Sequence, residues 1–325
     1  MNTINKIDNG EAFISNPSLK IDHVHLKVSN LKKSIHFYQT ILGFKVMDME
    51  PKKDTVYLGP ESLSGNNDKS LSTILILTQT NNDKKNAYSP NSIKRGEAGL
   101  YHFAILLPER QYLASFLQHL QKDLDPEYYE GMADHAVSES IYLHDPDYNG
   151  IEVYRDRKPS EWRWIDRNNV YMVTEPLDVQ SLLSQHGNEK WDGLPLLTSI
   201  GHVHLHVSNL VKAKKFYQES LGLYHTATYP GAYFFAADGY HHHIATNTWI
   251  GTNIMPNSAN DPRNPGLDHY AIRLSAEKNE VKRLKNHLMK KGVIIGEKLI
   301  DVDKCENSSF YVYDQDGIRI QFLFR

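Results

Sequence analysis

The chain has 325 residues, a formal charge of −3, 17 histidines and a single cysteine, Cys305. Two domains of ordinary size fit that length, and the near-neutral balance argues against nucleic acid or an anionic membrane as partner. One cysteine excludes an internal disulfide framework and a Cys-based zinc cage, and no apolar run is long enough to span a bilayer. The start, "MNTINKIDNGEAF", has no secretory core, so a cytoplasmic protein is expected.

Residues 1–20 read as a polar arm. The stretch "IDHVHLKVSNLKKSIHFYQTILGF", 21–44, opens with an alternating strand that carries His23 and His25 on one face and Val24, Leu26 and Val28 on the other. Ser29 or Asn30 is placed to cap a helix along which Leu31, Ile35, Tyr38 and Leu42 recur at helical spacing, and Gly43 stops it. Short strands follow at "VYLG" and "STILILTQ", with polar loops at "ESLSGNNDKS" and "TNNDKKNAYSPNSIKRGE". A second unit begins at "YHFAILLP", continues as a helix around "QYLASFLQHLQ" and returns to strand at "SIYLH" and "GIEVY". The coarse unit is therefore strand–helix–strand–strand–strand.

After a charged stretch with a short helix at "DVQSLLSQ", the pattern returns. "IGHVHLHVSNLVKAKKFYQESLGL", 200–223, repeats the first segment at an offset of 179 residues, with more than half of the positions identical. "GLYHFAIL" reappears as "GLDHYAIRL" at 266–274, and "IYLHDPDYNGIEVY" as "FYVYDQDGIRIQFL" at 310–323. The chain is a duplicated α+β protein with four βαβββ modules. The expected units are an arm over 1–20, a domain over 21–155, a surface linker over 156–199 and a domain over 200–325.

"HVHLKVSNLKKSIHFYQTILGF", "LYHFAIL" and "DPDYNGIEVY" resemble the vicinal-oxygen-chelate (glyoxalase/extradiol dioxygenase) superfamily over nearly the whole chain. The two-domain layout, with a Tyr ten residues before the final Glu, is similar to the type I extradiol dioxygenases, nearest the bacillus-type catechol or hydroquinone ring-cleaving group. The resemblance implies two open-barrel domains and a divalent metal, Fe(II) with Mn, Ni or Zn as alternatives, held by two His and one Glu. It implies O2 as co-substrate, a small aromatic diol as substrate and, because such folds often pair subunits, a homodimer.

Carried onto the first half, the ligands are His23, His102 and Glu152; onto the second, His202, His269 and Gln321. Gln321 offers an oxygen without charge, so ligand chemistry favours the first set. Two imidazoles and one carboxylate on one side of Fe(II) leave positions open for substrate and oxygen. The resemblance also implies a Tyr hydrogen-bonded to substrate, Tyr142 or Tyr311, and an acid–base His. The acid–base position falls within "YHHHIA", where His242 is the closest match. The first half has no histidine there, and His135 is the substitute. His25, His204 and His206 share the ligand-bearing faces of their strands, His144 belongs to a turn, and Trp162 and Trp164 either lid the pocket or cover the core. Adjacent strand residues face opposite ways, so His241, His242 and His243 cannot converge on one ion. A glyoxalase-like isomerase and a non-catalytic binding protein are the competing readings.

Overall fold

The computed structural model describes residues 13–60, 73–80, 96–185, 190–257, 260–296 and 309–324. Cys305, most of the arm and most of the two polar loops expected in the first half lie outside the described residues. The four modules form in the order read from the sequence. The first contains β1 (Lys20–Val28), α1 (Leu31–Thr40), β2 (Lys45–Glu50), β3 (Thr55–Gly59) and β4 (Leu75–Gln79). The second contains β5 (Gly99–Leu106), α2 (Arg110–Asp123), β6 (Tyr129–Asp134), β7 (Ser138–His144) and β8 (Gly150–Asp156). A short helix, α3 (Val179–Leu183), lies in the connection. The third module contains β9 (Ser199–His206), α4 (Leu210–Lys214), β10 (Tyr224–Tyr229), β11 (Ala232–Ala236) and β12 (Ile244–Asn247). The fourth contains β13 (Gly266–Leu274), α5 (Lys278–Lys290), β14 (Ile295–Gly296), β15 (Ser309–Tyr313) and β16 (Arg319–Phe324).

Local chemistry accounts for the module starts. Asn30 caps α1 by accepting from the Lys33 amide at 3.0 Å, and Asn209 repeats this with Lys212 in the third module. Gly43, at φ +77°, then turns the chain out of α1 in a conformation that favours glycine.

The modules assemble into two curled eight-stranded sheets, and neither sheet belongs to one half of the chain. The first sheet runs β14-β15-β16-β13-β1-β4-β3-β2 and joins the fourth module to the first; the second runs β10-β11-β12-β9-β5-β8-β7-β6 and joins the third to the second. Each seam is an antiparallel pair of first strands, β1 with β13 and β5 with β9. The apolar faces of these seam strands, including Val24, Leu26, Phe103, Ile105, Val203, Leu205, Tyr270 and Ile272, meet in one core between the sheets. The histidine-bearing faces therefore look away from that core.

Buried tyrosine–aspartate bonds tie together modules that share no sheet. Tyr38 of α1 donates to Asp145 in the β7–β8 turn at 2.9 Å, and Tyr217 donates to Asp314 in the equivalent turn, also at 2.9 Å. Each aspartate also accepts two turn amides through its other oxygen.

The connection expected as a surface linker is more integrated than that. Trp162 and Val170 build a satellite core with Val137, Ala227, Phe234 and Ala245, and Leu177, Leu182 and Leu194 join the main core.

Burial ties the stability of this fold to pH through groups of opposite sign. It lowers His25 and His243 to about 3, so unfolding at mildly acid pH takes up protons the native state lacks. Their contribution is complete above the ordinary histidine value of ~6.5. Between pH 7 and pH 5 the pair loses roughly 4 kcal/mol. Burial raises Asp145 to about 6 and Asp314 to about 7, which acts with the opposite sign and returns a comparable amount over the same interval. His204 and His242, also held well below the ordinary value by burial, decide the balance. Urea unfolding of the metal-free chain is expected to show clearly lower stability at pH 5 than at pH 7, with a larger drop in Asp314→Asn. Equal stability at the two pH values would contradict this account.

Candidate metal centre

The site is built around Ala104 at the middle of β5. Glu152 on β8 is paired with Ala104 from one side and His202 on β9 from the other, while His102 stands two residues earlier on the same face. With only a methyl at position 104, the three larger side chains converge above it. All three are buried. Glu152 Oε2 lies 3.0 Å from His102 Nε2 and 3.0 Å from His202 Nε2. Separations of about 3 Å are those of adjacent corners around a six-coordinate ion with bonds of about 2.1 Å.

His202 Nε2 donates to Glu152, whereas His102 Nε2 makes no aligned hydrogen bond and is buried without a partner. A buried imidazole nitrogen left in this way beside a carboxylate fits a cation. Ser140 donates to the other carboxylate oxygen at 2.6 Å and fixes its rotation. Burial alone would push the Glu152 carboxyl up, but His202 and His102 together hold it well below the usual carboxylate range.

Above these residues lies a cavity of about 650 Å³. Tyr142 and His135 enter it from the second module, and His204, His242 and Trp249 from the third. His135 donates through Nδ1 to the Val173 carbonyl at 2.6 Å, so its Nε2 is placed to accept from the Tyr142 hydroxyl, also at 2.6 Å. Asn247 donates to His204 Nε2 at 3.0 Å and holds that ring in the wall.

The two ligand sets carried over from the resemblance exchange one histidine. His102 and Glu152 meet His202, while His23 lies in the other sheet with His269 and Gln321. The physical reason is the seam: β5 pairs with β9 and β1 with β13, so each half supplies one side of both histidine clusters. Tyr142, His135 and His242 thereby share one cavity, and Tyr311 does not line it.

Around Ala271 the second sheet position repeats the lattice, with His23 on one side and Gln321 on the other. Its donors are already engaged: His269 lies 2.7 Å from Asp268 and 3.1 Å from Gln321, and His23 lies 3.0 Å from Asp22. His25, Asp268 and His269 form a second cluster of ligand-type atoms within 4.8 Å, but Arg319 is ion-paired to Asp268 and sits over Tyr311. A resident guanidinium supplies the positive charge there. Metal analysis after loading and desalting is therefore expected to give one tightly held divalent ion per chain, and two would contradict the assignment.

His206 bonds Asn247 at 2.7 Å and does not line the cavity, and His144 bonds the backbone carbonyls of Asp145 and Glu127 beside its turn. Trp162 and Trp164 pack in or against the satellite core, and the cavity wall comes instead from Ile165, Asp166 and residues 169–174 of the connection. Sequence reasoning missed Ser140, although its period-two spacing from Tyr142 puts it on the site's face. It also missed this wall, for which the mixed composition of the connection gives no signal.

The glyoxalase/bleomycin resistance protein/dioxygenase superfamily model matches residues 20–153 and 199–322. The chain belongs to this superfamily. A catechol-2,3-dioxygenase of Bacillus subtilis (strain 168) is 38% identical over 259 residues, covering 78% of this chain and 82% of the relative. Among solved structures, a candidate dioxygenase from Bacillus subtilis superposes with a TM-score of 0.61 at 12% identity, over 96% of this chain and 86% of that one. Glyoxalase I from Zea mays gives 0.54 at 15% identity, over 94% of this chain and 92% of that one. These two likenesses show the fold alone.

Proposed function

We propose that this member of the superfamily is an Fe(II)-dependent extradiol dioxygenase that opens the ring of a catechol or hydroquinone. The observation that carries the reading is the joining of His102, Glu152 and His202 with Tyr142 and His242 in one cavity. The catechol-2,3-dioxygenase relative supports it. His102, His202 and Glu152 hold the metal, which when bound supplies an acidic centre for diol ionisation and a route for electrons to oxygen.

His242 is buried among His202 and His241 and is held well below the ordinary histidine value by that burial and by those neighbours. It is therefore neutral at pH 7 and takes the proton released by the diol, returning it later to the ring-opened product. Tyr142, anchored by His135, hydrogen-bonds a substrate oxygen. Among the described residues the cavity lining contains no lysine or arginine, which suits an uncharged aromatic diol.

The isomerase reading requires a second acidic ligand. The β12 position that corresponds to Glu152, opposite His204 as Glu152 is opposite Ala104, is Ala245. It offers no donor and leaves that side open for substrate. Anaerobic loading with Fe(II), followed by catechol or methylhydroquinone and oxygen, is expected to give stoichiometric oxygen uptake and a coloured ring-fission product. Diol binding without oxygen uptake would favour a binding protein. Turnover of a hemithioacetal with another divalent metal would favour an isomerase.

A further inference from the structure

Behind His242, on the side away from the cavity, a chain of hydrogen bonds has no place in metal binding. His241 is fully buried, with Nδ1 2.8 Å from His242 Nδ1 and Nε2 2.8 Å from Asp156 Oδ1. Tyr240 donates to Asp156 Oδ2 at 2.9 Å, and the Tyr154 hydroxyl lies 2.8 Å from that of Tyr240. Trp162 packs edge-on against His241, its ring centre 5.2 Å away. The space for Tyr154 is provided by Gly201, where a Cβ would fall 1.8 Å from the tyrosine oxygen.

We propose that Asp156 and His241 are positioning residues that fix which nitrogen of His242 carries its proton, leaving Nε2 bare toward the cavity. The assignment rests on His242 being the acid–base residue of the proposed dioxygenase. Asp156 presents a carboxylate that accepts from both neighbours, so His241 places its N–H at Nε2. With its ring proton at Nε2, His241 presents a lone pair at Nδ1, and the 2.8 Å contact between the two Nδ1 atoms has His242 donating there. The single ring proton of His242 is thereby held at Nδ1. Among the described residues its Nε2 has no hydrogen-bond partner, so the lone pair is available to substrate. The adjacent histidines of "YHHHIA" thus divide the work, one facing the cavity and one behind it.

The test reads the tautomer directly. In the full chain loaded with diamagnetic Zn(II) and labelled with 15N at histidine, two-bond 15N–1H correlations at neutral pH are expected to show His242 protonated at Nδ1. The signal is assigned by its loss in His242→Gln. His241→Phe, which keeps a ring but removes the acceptor, is expected to shift population toward the Nε2-protonated form. With Fe(II) and catechol, the same variant should lower kcat at least about tenfold with KM within about twofold. Asp156→Glu, which keeps a carboxylate, should preserve the parent tautomer. A parent His242 protonated at Nε2, or an unchanged tautomer in His241→Phe, overturns the proposal. An Nδ1-protonated parent that consumes no oxygen with any diol overturns the dioxygenase reading instead, because the tautomer measurement needs no turnover.

Discussion

His202→Ala is expected to abolish tight binding of the divalent metal and to lower oxygen uptake with a diol by roughly a thousandfold or more. His23→Ala should leave both within about twofold, after any loss of stability is allowed for. The contrast follows from the seam: His202 lies 3.0 Å from Glu152, whereas His23 sits in the other sheet near Asp22 and His269. Glu152→Gln should behave like His202→Ala, since it keeps the shape of the side chain but removes the charge that balances the ion. Metal content by elemental analysis and oxygen consumption read both effects. Retention of metal in His202→Ala with its loss in His23→Ala would reverse the proposed ligand set.

Gly150→Ala is expected to produce the second large effect, on fold and site together. A Cβ at this position would lie 2.0 Å from the Tyr101 carbonyl oxygen and 3.1 Å from His102 Cβ. The first contact is with backbone, which no side-chain rotation relieves, so β5 and β8 must separate where they pair through His102 and Gly150. Overpacking of this kind costs about 3 kcal/mol. The displaced strands are those carrying His102 and Glu152, so metal affinity should fall with stability. Urea denaturation and competitive metal titration measure the two losses, and a variant with parental stability would show that the strands can yield.

The modules were legible because their signals are local. The Asn30 and Asn209 caps, the glycine after α1 and the alternating "HVHL" strands each depend on a few neighbouring residues. The residues that meet in the candidate centre were legible too, since His102, Glu152 and His202 lie in motifs that recur along the chain. Which module pairs with which was not. The four first strands form two pairs of near copies, β1 with β9 and β5 with β13, and nothing within "HVHLKV" or "HVHLHV" tells β1 to lie beside β13 and β9 beside β5. That choice lies in pairings between residues about 100 apart for β5 with β9 and about 240–250 apart for β1 with β13. Reading each half as self-contained left one set lacking its usual base and the other lacking its carboxylate. The observed seam brings Glu152 and His242 into one cavity. The contact of His241 with Asp156 was hidden for a related reason, because Asp156 comes from the end of β8.

The β1–β13 seam also sets a timetable for biosynthesis. β1 ends at Val28 and its partner begins at Gly266, about 240 residues later. At roughly 5–20 residues per second, the ribosome takes about 12–50 s to deliver that strand. Throughout this interval one edge of β1 lacks its native neighbour, and unpaired strand edges are templates for association with other chains. The β5–β9 pair waits for less than half that length of chain, so the sheet carrying the proposed metal ligands can close first. Expression at lower temperature, or with chaperones that shield nascent strands, should therefore raise the soluble yield by protecting the sheet that does not carry the proposed metal ligands.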